Sequence, residues 1–344
     1  MKNNNLWILT EERPKREVIA NILMMFAKDN KFACFIDTIR TLPILENGKF
    51  TFLYEVVGFR CNKIERVFIK SVSGFSSFVD FLIFYQEKQP TQKDIPLYVI
   101  EETKTDDKES RNTGVYQRAS KFVFLENYYP KVKKVMLYNL KIEQKEAPTA
   151  TYIFGTKLLL TLGVEIRGKK LDEKIFKPFN SFDEIIAFKK KMRRAPKGNI
   201  PILIKKNGNK ITISGRLFKS GGLAHDPNIG ALSLISAAIR KLGWTDEIII
   251  AKHGLKQKHL QPDNKFIKIA NYLKLQIKGL TLPKSKNRDD YWKYETEGEK
   301  LGTIFIHLVV ENFTKGFSIF ENHAGCEKGY FITSDGKHIP LEKY

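Results

Sequence analysis

Ile19, Ile22, Leu23 and Phe26 recur at helical spacing with basic and polar residues between them, which predicts a helix over 14–28. The period then changes. Runs rich in β-branched and aromatic residues, bounded by Asn and Gly, predict strands over 49–59, 64–72, 78–85 and 97–105. Turns at Glu46-Asn47-Gly48 and Cys61-Asn62-Lys63 open the first two. A polar loop from Asp106 to Asn112 follows. Val115, Ala119, Phe122 and Val123 then line one face of a helix expected over 113–128, which Pro130 stops. Residues 132–140 read as a fifth strand. Helix, run of strands, helix, strand is the order of an α/β or α+β core with a central mixed sheet flanked by helices.

Beyond a polar stretch at 141–150, the apolar run 150–165 reads as a strand and 182–194 as a helix ending in Lys189-Lys190-Lys191-Met192-Arg193-Arg194. Strands are expected over 200–205 and 210–218, joined at Asn207-Gly208-Asn209. The glycine-containing loop 220–230 leads to a helix over 231–242, then a short buried strand at 248–251. Two more strands are expected in 301–332. No internal repeat is visible. The expected division is a core over 1–145 and a basic α+β region over 146–344, separate from the core or integrated with it.

Composition narrows the functional classes. The 344 residues are 42% hydrophobic, enough for a sizeable core. No run approaches the ~20 apolar residues of a membrane span, and Met1-Lys2-Asn3-Asn4-Asn5 does not open a signal peptide. Cys34, Cys61 and Cys326 match no zinc spacing and no disulfide framework, so a reducing, cytoplasmic setting is expected. His225, His253, His259 and His323 are isolated. The net charge of +21 is unevenly spread: residues 1–150 hold 24 Lys and Arg against 19 Asp and Glu, and residues 151–344 hold 35 against 19. Such a field attracts polyanions, chiefly nucleic acid. A basic amphipathic helix that would dock on an acidic membrane is not evident.

One stretch carries candidate chemistry. Pro96 to Thr105 reads as a buried strand ending in Glu102-Thr103-Lys104, and Asp80 lies at the start of the apolar strand before it. Side chains alternate along a strand. Glu102 and Lys104 therefore share one face and Glu101 takes the other, so the carboxylate paired with an ammonium is expected to be Glu102. Asp80 and Glu102, with the Thr103 carbonyl, form an oxygen donor set suited to Mg²⁺. Such an ion polarises a phosphate and acidifies a bound water, and Lys104 would neutralise charge developing on the phosphate.

Asp80, Glu102 and Lys104, in this order of elements across 14–140, resemble the PD-(D/E)XK nuclease superfamily, type II restriction endonucleases in particular. Val79 stands where a Pro often precedes the Asp. The resemblance implies a restriction-endonuclease-like core, Mg²⁺, a double-stranded DNA substrate and a homodimer that cuts both strands. It also implies a Gln or basic residue near the metal on the next helix. Gln117 is the candidate, and Arg111, Arg118 and Lys121 are candidate phosphate contacts, unless they lie on a solvated helix face. Glu55 is either a fourth acidic residue of the site or a charge at a strand surface.

Three functions follow. The first is site-specific, Mg²⁺-dependent DNA cleavage. The second is a structure-selective repair or recombination nuclease on the same core. The third is a DNA-binding protein without catalysis, in which Glu102 and Lys104 form an ordinary surface pair.

Overall fold

The structure, a computed structural model, describes residues 4–11, 14–46, 49–74, 78–103, 114–138, 150–192, 202–216, 227–253, 264–278, 291–295, 317–319, 330–333 and 338–340. In chain order the elements are β1 (Asn4–Thr10), α1 (Arg16–Asp29), β2 (Cys34–Glu46), β3 (Lys49–Cys61), β4 (Ile64–Gly74), β5 (Phe81–Gln86), β6 (Tyr98–Thr103), α2 (Gly114–Leu125), β7 (Lys133–Tyr138), α3 (Ala150–Thr161) and β8 (Val164–Arg167). They continue as α4 (Phe182–Lys191), β9 (Leu203–Asn207), β10 (Lys210–Arg216), α5 (Pro227–Lys241), β11 (Glu247–His253), α6 (Asn264–Tyr272), β12 (Leu275–Ile277), β13 (Trp292–Tyr294), β14 (Phe317–Ile319), β15 (Tyr330–Thr333) and β16 (His338–Pro340). The fold is mixed α and β, as the hydrophobic pattern predicts.

Two compact units share the chain. The first comprises Met1–Gly74, Phe81–Leu97 and Trp292–Tyr344. Its strands run in the order β2-β3-β4-β1-β5, with β13 added on β4. Strand β1 is parallel to β4 and antiparallel to β5, and consecutive residues of its run Leu6-Trp7-Ile8-Leu9 are all buried, so both of its faces are covered. Helix α1 buries Val18, Ile19, Ile22, Leu23 and Phe26, the stripe its spacing predicts. A separate small sheet is formed by β14, β15 and β16.

The second unit comprises Phe75–Asp80 and Tyr98–Tyr291. Here β6, β7 and β8 lie side by side and parallel, and β6 is buried along its whole length. Helices α2, α3 and α5 pack on one another, and α3 packs on β8. A second sheet has the order β12-β11-β10-β9, parallel except for the β9–β10 hairpin. The boundary expected near residue 145 falls in 139–149, outside the described residues.

The structure departs from the sequence reading at 150–165. That run is helix α3, a turn at Leu162-Gly163 and the short strand β8. Its largely apolar first part lacks the strict alternation of a half-buried strand and suits a helix covered on most sides; Tyr152, Phe154, Leu158 and Leu159 are all buried. Gly163, at φ +75°, ends the helix in a conformation glycine tolerates best. Strands β1 and β2 and helix α6 go beyond what the hydrophobic pattern predicts. Of the basic run at 189–194, Lys189 is not a solvated helix end: its ammonium lies 5.4 Å from the Phe154 ring centre, and burial pushes its pKa down.

Candidate active site

All the described residues of the candidate site belong to the second unit. Asp80 ends the segment Phe75–Asp80, which aromatic packing anchors. Phe78 stacks on Tyr291 at 5.3 Å, and the Val79 amide donates to the Tyr291 hydroxyl at 3.0 Å. Tyr291 in turn packs against Phe124 of α2 and against Tyr128 and Tyr129 just after it. Residues 78–80, which form neither helix nor strand, are thereby held in place. They set the Asp80 carboxylate beside the end of β6, where Oδ2 accepts the Glu102 amide hydrogen at 2.7 Å.

The side chain that meets Asp80 is Glu101. Its Oε2 accepts from the Asp80 amide at 3.3 Å. Its carboxylate is 1% exposed and receives Lys121 Nζ at 2.8 Å on Oε1 and 3.0 Å on Oε2. The same ammonium stands 3.8 Å from Asp80 Oδ1, so one lysine spans both acids. Burial foremost, and then the charge of Asp80, push the Glu101 pKa up to about 7, against the pull of Lys121 and Arg118. A carboxyl that titrates near neutrality is suited to proton transfer, and such shifts cluster at functional sites.

Helix α2 supplies the basic side of this arrangement. Arg118 and Lys121 are three residues apart and so share a helix face. Arg118 Nη1 donates to the Glu102 carbonyl while Lys121 reaches Glu101. Ala119, Phe122 and Val123 of the same helix are buried, as their spacing predicts.

The expectation that the side chains of Asp80 and Glu102 converge is therefore corrected: the one that meets Asp80 is that of Glu101. Adjacent strand residues face opposite ways, and the face directed at α2 carries Glu101. Glu102 contributes its main chain: its amide binds Asp80 and its carbonyl binds Arg118, while its side chain, 6% exposed, takes the other face. Thr103 is buried at the strand end. Lys104 and Arg111 lie outside the described residues, as does the side chain of Gln117, whose backbone is in α2. Lys121 is committed to the two carboxylates rather than to a solvated surface. Glu55 belongs to the first unit, where Arg66 grips it bidentately at 2.8 and 2.7 Å and holds its pKa down. Sequence reasoning also missed the part of Tyr291, because no local spacing links a tyrosine to a carboxylate more than 200 residues earlier.

Among the described residues no group of three or more His, Cys, Asp or Glu side chains is arranged to hold a metal ion. Two carboxylates meet here, however, and Mg²⁺ is commonly held by one or two carboxylates with waters and substrate phosphates supplying the rest. Asp80 Oδ1 and the Glu101 carboxylate, which share the Lys121 ammonium, are the donors a cation in that ammonium's place would meet, whereas Asp80 Oδ2 and the Glu102 carbonyl hold hydrogen bonds to the Glu102 amide and Arg118. Burial raises the Glu101 pKa most and repulsion from Asp80 adds to it; that repulsion is the electrostatic condition a divalent cation relieves. Comparison with known protein families, curated proteins and solved structures returned no match. No helix among the described residues is long and apolar enough to cross a membrane.

Proposed function

We propose that this chain is a metal-dependent phosphodiesterase acting on double-stranded DNA, with Asp80 and Glu101 as its acidic pair and Lys121 as its cationic group. The observation that carries the reading is the convergence of two carboxylates from separate segments on one ammonium at the end of a buried strand. Bound Mg²⁺ would polarise the scissile phosphate and acidify a water. Asp80 and Glu101 would hold the ion. Lys121, released from Glu101 by the ion's charge, would turn to the phosphate oxygens and neutralise the charge that gathers there. Arg118 fixes the end of β6 through the Glu102 carbonyl and so keeps the two acids in register. The surplus of basic residues after position 150 supports a DNA substrate, because phosphate contacts dominate such affinity. Site-specific cutting as a two-fold homodimer is the fullest form of this proposal.

Purified chain incubated with plasmid and Mg²⁺ or Mn²⁺ is expected to yield fragments with recurring ends. Scattered ends would point to a structure-selective nuclease instead. Glu101→Gln and Lys121→Ala should each lower cleavage by about 10²–10⁴-fold while DNA binding in Ca²⁺ persists. Glu102→Gln, which keeps the main-chain contacts, should leave most of the activity. DNA left intact across metals and salt concentrations would overturn the proposal. One observation favours a second reading, DNA binding without cleavage: Lys121 already neutralises the acidic pair. On that reading binding weakens steeply with salt and no metal elicits cutting.

A further inference from the structure

The sequence separates Cys34 from Cys61 by far more than any paired-cysteine motif, yet the fold sets them directly opposite each other on neighbouring antiparallel strands, β2 and β3. Their pairing type can be read from the backbone. The Asn62 amide donates to the Ala33 carbonyl at 3.1 Å, which makes Ala33 and Asn62 a hydrogen-bonded pair of the ladder. Pair types alternate along an antiparallel ladder, so Cys34 and Cys61 form a non-hydrogen-bonded pair, the type whose Cα atoms stand about 4.5 Å apart with side chains on one face. That spacing falls inside the ~4.4–6.8 Å window a disulfide spans. Both thiols are free and half-buried. Cys34 Sγ also lies 3.8 Å from the Met24 sulfur of α1, so the thiol is walled on one side by an apolar, polarisable group. Burial and the nearness of Cys61 push the Cys34 pKa up, which agrees with two sulfurs in mutual range.

We propose that Cys34 and Cys61 are an oxidative modification site, a thiol pair that a low-molecular-weight disulfide converts to a cross-strand disulfide between β2 and β3. The chemistry is thiol–disulfide exchange in two steps. One cysteine loses its proton to solvent, and its thiolate attacks a sulfur of oxidised glutathione. A protein–glutathione mixed disulfide forms, and one glutathione thiolate departs. The second cysteine, likewise deprotonated, attacks the protein-side sulfur of that bond; the Cys34–Cys61 bond forms and the second glutathione thiolate leaves. Both thiolates are reprotonated by the two protons released. The two protein thiols are oxidised, the small disulfide is reduced to two thiols, and dithiothreitol reverses the sequence. The product tethers β2, the outermost strand of the first unit's sheet, to β3, its neighbour in that sheet.

The test is to incubate the full native chain, dilute and reduced beforehand, with oxidised glutathione, then digest it without reductant and analyse the peptides by mass spectrometry. The expected product is one cross-linked species joining the Cys34 and Cys61 peptides, two hydrogens lighter than their sum, in a protein that stays monomeric by non-reducing gel. Cys326 remains titratable or singly glutathionylated. The variant Cys61→Ser should stop at the mixed disulfide on Cys34. Stable separate glutathione adducts on Cys34 and Cys61, a cross-link that uses Cys326, or no reaction at Cys34 and Cys61 in the native chain would each overturn the proposal.

Discussion

Glu101 keeps its proton at a pH where a solvated glutamate has lost it, and this has a thermodynamic consequence at the level of one residue. Its pKa stands at about 7 in the folded chain, raised by burial and by Asp80, against an ordinary value of 4.5. Between those two pH values the folded chain holds a proton that the unfolded chain releases. Stability therefore falls as pH rises from about 4.5 to about 7 and flattens above, by about 1–3 kcal/mol from this group. Urea midpoints measured across that range in a chelator should show the decline, and Glu101→Gln should remove it; an equal slope in the variant would assign it to other groups. The same residue marks the limit of what strand parity reveals. Alternation sends Glu101 and Glu102 in opposite directions. It does not say which face meets Asp80. Pairing Glu102 with Asp80 rests on Lys104 as the ammonium, whereas the ammonium in place comes from Lys121, twenty residues beyond Glu101 on a helix. Helical spacing makes 118 and 121 neighbours of each other, but not of the strand.

Among the elements, the join between β7 and β8 depends on a single missing side chain. Gly168, just past β8, adopts φ +76°, and a Cβ there would lie 1.9 Å from the Tyr138 carbonyl oxygen at the end of β7. Any other residue meets a left-handed backbone, which alone costs about 1–3 kcal/mol, and main-chain atoms that cannot swing aside. Gly168→Ala should lower the urea midpoint accordingly, whereas Gly163→Ala, whose added methyl would meet nothing within 4 Å, carries the backbone cost alone. A variant at 168 no less stable than one at 163 would contradict this account. Elements defined by clear periodicity, such as α1, β3, β4 and β6, were legible. Those whose burial is all-round were not, because an apolar run such as 150–161 looks alike as helix or strand until its neighbours are known. Strand β1 shows the same effect: buried on both faces, it has no alternation to betray it.

For the molecule as a whole, the two units are not consecutive segments. The chain enters the second unit at Phe75, leaves it after Asp80, returns at Tyr98 and leaves again after Tyr291. Hydrophobic patterning is local and carries no trace of such crossings, which explains why the sequence suggests a single divide near 145. A cut there would part β7 from β8, which pair through Lys134 and Val164, and α2 from α5, which it packs against. Expressed alone, residues 1–145 and 146–344 should thus each lack the near-ultraviolet circular dichroism of packed aromatics expected of the full chain; a signal from either fragment matching that of the full chain would refute this. The crossings also impose a schedule on synthesis. Strand β4 ends at Gly74, but the strand that completes it, β13, begins at Trp292. At roughly 5–20 residues per second a ribosome needs about 10–40 s to deliver the roughly 220 residues between them. The unit whose strands emerge first is the last to be finished, and for that interval the Val72–Gly74 end of its sheet waits without the partner that closes it.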